Sequence, residues 1–276
     1  MAWQANLHLA YARAGRRVVA HHQHSGPLRI LQSLYPEGDG ICHNVLVHPP
    51  GGLVGGDTLD IAVLAASGTH GLITTPGATR FYRSEGPLAL QTAHIELQAH
   101  ARLEWLPLEA LCYSDCNAEN RLVMQLEPGA EMLGWDVTAF GLPQARLPFV
   151  QGSFAQHIEL PGVWLERGRI NASDTRLLDG PTGLAGARCM ASLFFVSGSV
   201  LDRTRKAQAL DTARALIASH ALAATAGATS PNPQVIVVRV LAPLVEPAMD
   251  LLRAVRNAWR HELWQLPGCN PRIWAM

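Results

Sequence analysis

Between positions 93 and 105 apolar and polar residues alternate almost without fault. Ala93, Ile95, Leu97, Ala99, Ala101, Leu103 and Trp105 take one parity, and His94, Glu96, Gln98, His100, Arg102 and Glu104 take the other. That is the period of a strand with one buried face. Thirteen extended residues would span about 43 Å at roughly 3.3 Å each, too long for one strand of a compact domain. A bend is therefore expected near Ala99-His100-Ala101, with a strand on either side.

The same phrase recurs along the chain. Segments beginning at Leu64, Leu97 and Leu126 each close a strand, turn on small residues and reopen another, and Leu160-Pro-Gly-Val-Trp-Leu-Glu is a looser fourth copy. The offsets of 33, 29 and 34 residues fit stacked β coils that bury their apolar faces on one another. An ordinary meander with similar turns fits them too. After Leu201 the period changes. Asp202 is placed to cap a helix whose stripe is Ala207, Leu210, Ala213, Ile217 and Ala221, with Gly227 as the stop. Residues 234–241 read as a buried strand after the Pro231-Asn232-Pro233 breaker. A second helix carries Val245, Met249, Leu252, Val255 and Trp259 on one stripe, has Pro247 in its first turn and ends before Pro267-Gly268. The expected fold is mainly β with two helices in the C-terminal third. No linker divides residues 1–276, so a single domain is expected.

Composition narrows the function more than the fold. Lys+Arg and Asp+Glu both total 22, which lacks the basic surplus of a nucleic-acid binder. The N-terminus has no signal-peptide pattern and no run is long and apolar enough to span a membrane, so a cytoplasmic protein without a membrane partner is expected. Five scattered cysteines fit reduced thiols better than a disulfide framework.

Three clusters invite chemistry. His48-Pro-Pro-Gly-Gly-Leu-Val-Gly-Gly-Asp57 places Gly51, Gly52, Gly55 and Gly56 where the backbone must turn sharply or approach something closely. It lacks the lysine and hydroxyl of a P-loop and the helix that would follow one, so it reads as a structural loop beside a sheet. Thr75-Pro-Gly-Ala-Thr-Arg-Phe-Tyr-Arg-Ser84 crowds Thr79, Arg80, Tyr82 and Arg83 into an expected turn, a composition suited to gripping carboxylates or a protein surface. His22 and His24 share one face of a strand and with Asp57 could serve a metal-dependent hydrolase, yet no further ligand lies nearby in sequence. No nucleophile elbow or paired carboxylates stand out, so no catalytic residue is assigned and the chain is not expected to be an enzyme.

The two long motifs, with Leu103-Glu-Trp-Leu-Pro107, Gly134-Trp-Asp136, Glu166-Arg167 and Pro271-Arg-Ile-Trp274, resemble in order those of the urease accessory family UreD, also called UreH. The resemblance covers nearly the whole chain. It implies a β-rich, solenoid-like body, which favours coils over a meander. It implies no tightly bound cofactor and a metallochaperone role: binding apo-urease and the accessory protein UreF, and through UreF the GTPase UreG. It further implies an internal path of acidic and hydroxyl side chains for transient Ni²⁺, which by motif falls on Asp57, Thr79, Asp136 and Glu166. Oxygen ligands hold such a cation more weakly than histidine or thiolate, which suits transfer.

Overall fold

The computed structural model describes residues 2–275. Alternation drives its first two thirds: Thr58–Ala65 turns Leu59, Ile61, Val63 and Ala65 inward, and Ala89–Leu97 does the same with Ala93, Ile95 and Leu97. The expected bend is present. Strand Ala89–Leu97 ends at a turn in which His100 takes a φ of 60°, and Arg102–Leu106 follows as a second strand.

Each such turn carries the chain from one sheet to another. Thr58–Ala65, Ala89–Leu97, Cys116–Leu126 and Gly152–Leu160 stack in parallel in a seven-stranded sheet. His70–Thr74, Arg102–Leu106 and Glu131–Leu142 stack in parallel in an eleven-stranded one. A short third ladder of Thr79–Phe81 and Ala110–Cys112, pairing onto residues 138–140, completes the circuit. The phrases at Leu64, Leu97 and Leu126 thus mark successive coils of a solenoid. The looser copy at Leu160 does not. There Gly162, at φ 74°, reverses the chain and Leu160 pairs with Trp164 in an antiparallel hairpin that edges the first sheet. An N-terminal hairpin, Gln4–Ala14 with Arg17–Ser25, edges its other side.

The outer face of the second sheet is covered, and three helices interrupt the strands: α1 (Thr175–Asp179), α2 (Arg203–Ala218) and α3 (Val245–Trp264). The short α1, capped by Asp174, had no periodic signal. Asp202 caps α2 as expected, accepting from the Arg205 N–H at 2.9 Å. The helix stops at Ala218, however, and residues up to Gly227 do not extend it. Ala226–Asn232 instead gains ladder hydrogen bonds to Val235–Ala242 as an edge strand, a position that tolerates Pro231. The α3 stripe of Met249, Leu252, Val255 and Trp259 is buried against α2 and the sheet.

Two apolar cores result, one inside the coil and one beneath the helices. Strand Glu131–Leu142 contributes to both: Met132 and Phe140 face the coil, while Leu133, Trp135 and Val137 face the helices. Helix cover also buries Glu104, which occupies a polar slot of the alternation yet is 0% exposed. It accepts from Arg256 Nε at 2.8 Å and pairs with Arg260, which also reaches Glu37. Burial alone would raise the Glu104 carboxyl, but Arg256, His70 and Arg260 outweigh it and hold it at about 2. At the C-terminus Trp274 donates to Thr74 Oγ1 at 2.8 Å and packs on Trp135. No described helix is long and apolar enough to cross a membrane.

Candidate functional site

The glycine-rich loop and the Thr75–Ser84 segment, distant in sequence, lie against each other. Leu53 N–H donates to Arg80 O at 2.7 Å and Tyr82 N–H donates to Leu53 O at 2.8 Å. The glycines permit this approach: a Cβ on Gly52 would lie 2.3 Å from Tyr82 Cε2, and one on Gly55 would lie 2.1 Å from Ser84 Oγ. Asp57, 1% exposed, closes the loop by accepting from Trp3 N–H at 2.7 Å and Val54 N–H at 2.9 Å. Both of its oxygens are thus engaged by backbone, and it works as a turn anchor.

Where the two segments meet there is a cavity of about 220 Å³ lined by His48, Gly51, Thr79, Arg80 and Gln91 among others. Burial lowers the pKa of His48, an effect partly offset by the charge of Asp57. The imidazole is therefore neutral at physiological pH.

From Gln91 a polar file runs through the coil. Gln91, Asn120 and Gln156 lie opposite one another on successive strands, in inward-facing slots flanked by apolar residues. Gln91 Nε2 donates to Asn120 Oδ1 at 3.1 Å, and Asn120 Nδ2 donates to Asp136 Oδ2 at 2.8 Å. The other carboxylate oxygen of Asp136 accepts from Gln156 at 2.7 Å and from Thr138 at 3.3 Å. Burial raises the pKa of Asp136, opposed by these three hydrogen bonds and reinforced by the nearby charge of Glu166. Glu166 lies beyond. It accepts from Ser192, the cross-strand neighbour of Asp136, at 3.5 Å and is gripped by Arg239, with Nη2 at 2.7 Å.

The file is built of neutral amides and hydroxyls around one buried carboxylate. Each amide bears both a donor and an acceptor, so rotation presents either an N–H or a carbonyl oxygen to its neighbour. Asp136 supplies the one negative charge of the buried stretch, and Arg239 at the rim neutralises Glu166. Neither carboxylate stands in a closed cage of ligands.

Residues 4–275 match the family model described as UreD urease accessory protein. The chain belongs to the UreD family. It is 70% identical over 276 residues to the urease accessory protein UreD of Polaromonas naphthalenivorans, with all of both chains covered. Identity is 66% over 275 residues with UreD of Variovorax paradoxus, again covering both chains completely. It is 54% over 276 residues with UreD of Leptothrix cholodnii, covering 99% of each. The UreD family serves urease maturation as an accessory, not as an enzyme.

Against that identity the remaining candidates fall into place. Of the four residues assigned by motif, Thr79 borders the cavity, Asp136 and Glu166 lie on the file, and Asp57 stands apart from it in its turn. Tyr82 packs on Tyr113 with ring centres 4.9 Å apart, whereas Arg83 is exposed. His22 and His24 do share a face, with rings 5.9 Å apart, but His24 contacts Arg29 and Asp57 is occupied elsewhere. Among the described residues no three histidine, cysteine or acidic side chains form a group that could hold a metal ion. Sequence reasoning missed Gln91, Asn120, Gln156 and Arg239. A signal existed for the three amides: each is a polar residue at a slot where Ala89, Ala93, Ala118, Leu122, Phe154 and Ile158 set an apolar inward face.

Proposed function

We propose that this UreD protein is a metallochaperone scaffold that binds apo-urease on one surface and UreF on another, in the cytoplasm, and assists GTP-dependent nickel insertion. UreG, engaged through UreF, hydrolyses the GTP, and Ni²⁺ passes along the interior of the solenoid. The observation that carries this reading is Asp136, a buried carboxylate set in a continuous file of amides and hydroxyls. A divalent borderline cation meets oxygen ligands there that bind it weakly enough to release it. The amides turn their carbonyls to the ion as it arrives and restore the Asp136 hydrogen bonds when it leaves. Thr79 and Glu166 lie towards the two ends of the route, and Asp57 contributes through the shape of the cavity mouth.

The interactions are tested by co-expressing the tagged chain with UreF, UreG and the urease structural subunits. Stoichiometric co-purification with UreF and with urease is expected. A chain that folds yet captures neither would overturn the proposal.

A further inference from the structure

The polar file leaves the other side of the cavity unexplained. Arg80 lines it, and its guanidinium makes one marginal contact, Nη1 to Gly51 O at 3.5 Å, with no ion pair among the described residues. The acid nearest in the loop, Asp57, cannot serve it, because both its oxygens accept backbone N–H groups. In the same cavity His48 Nε2 is buried and has no hydrogen-bond partner. A buried polar atom without a partner is uncommon and calls for a ligand, an ion or a water. It shares the cavity with Arg80, whose positive charge has no ion-pair partner among the described residues, and with Thr79.

The donor set selects the ligand. A permanently charged guanidinium disfavours a cation at this spot. A phosphate dianion would need more donors than one guanidinium, one imidazole N–H and a hydroxyl. A carboxylate matches: its two oxygens fit the planar fork of an arginine, and one more donor completes it. The cavity, about 220 Å³, is several times the roughly 30 Å³ of a water molecule. We propose that the cavity between His48 and Arg80 is a carboxylate-binding site, in which Arg80 takes both oxygens and the His48 imidazole N–H donates to one of them. Such a carboxylate comes either from a small free acid or from an acidic side chain of a docked protein. In both cases it lies beside Thr79 and Gln91, so its arrival places a negative group at the mouth of the file.

Saturation-transfer NMR of the full-length chain with sodium acetate, at constant ionic strength, tests the free-acid source. Transfer to the acetate methyl is expected in the wild type, at least five-fold weaker in Arg80→Met and intermediate in Arg80→Lys, which keeps the charge but loses the planar fork. His48→Gln, which retains an N–H donor, should keep more signal than His48→Leu. Formate should displace acetate better than phosphate does. If acetate gives no transfer, the protein source is tested by capture of co-expressed urease subunits. Arg80→Met should then lose capture and Arg80→Lys keep part of it, each with a wild-type thermal melt. Equal acetate transfer in wild type and Arg80→Met, displacement led by phosphate, or absence of transfer together with undiminished capture would each overturn the site. The capture arm rests on the maturation role proposed above. Failure of the wild type itself to capture urease defeats that role, while acetate transfer still establishes the site and its absence overturns it.

Discussion

Replacing Glu104 by glutamine should be among the most damaging single changes available outside the apolar cores. Glu104 is 0% exposed and faces two arginines, Arg256 and Arg260, that are also 0% exposed. Glutamine keeps the shape and removes the charge, leaving both guanidiniums buried without their shared carboxylate. Breaking a buried pair in this way costs about 3–5 kcal/mol. The depressed carboxyl gives the same order: a shift from 4.5 to about 2 corresponds to roughly 3 kcal/mol at 1.36 kcal/mol per pH unit. Because the folded value is depressed, this stability is present above about pH 4.5 and is lost as pH falls towards 2. His70, whose pKa burial lowers from 6.5, adds a loss in the same direction as pH falls through that value. Denaturant melts of wild type and Glu104→Gln from pH 7 to pH 3 should therefore show a gap of several kcal/mol at pH 7 that narrows below pH 4.5. A gap under about 1 kcal/mol at pH 7, or parallel curves through the acid window, would refute the reasoning.

Other changes probe other joints. Gly52→Ala should cost about 1–3 kcal/mol in thermal melts by driving a methyl into Tyr82 and the Arg80 carbonyl. Trp274→Ala removes the hydrogen bond to Thr74 and the packing on Trp135 and should cost about 2–4 kcal/mol. Asp136→Asn should leave folding unchanged or up to about 1 kcal/mol more stable at pH 7. A raised folded pKa favours the protonated form, so this carboxyl helps folding below its ordinary 3.8 and that help is lost as pH rises. Hydrogen–deuterium exchange on the same variants would separate local loosening of the C-terminal segment from global loss of stability.

Much of the fold was legible because the solenoid repeats one short instruction, a half-buried strand followed by a small-residue turn. The alternation across Ala93–Trp105 and its break at His100 could be read directly. What the period could not show is which outer faces acquire a second cover. Glu104 looks like a solvated slot until α3 lies over it, and the edge strand Ala226–Asn232 looks like the tail of α2 until its ladder partner is in place. The candidate site divides in the same way. Short motifs marked Asp136 and Glu166, but Gln91, Asn120 and Gln156 become one file only when the coils are stacked in register. Asp57, a carboxylate at the end of a conspicuous motif, accepts two backbone hydrogen bonds, which its position in the sequence did not reveal.

The most direct test of the account is urease activation in cells co-expressing the urease subunits and all accessory proteins with Asp136→Ala plus Glu166→Ala in this chain. Activity per assembled complex and nickel per urease should both fall about ten-fold or more, a loss of roughly 1.4 kcal/mol or greater in transfer, while UreF and urease still co-purify in wild-type proportion. Full activation with full nickel content in the double variant would contradict passage through the file.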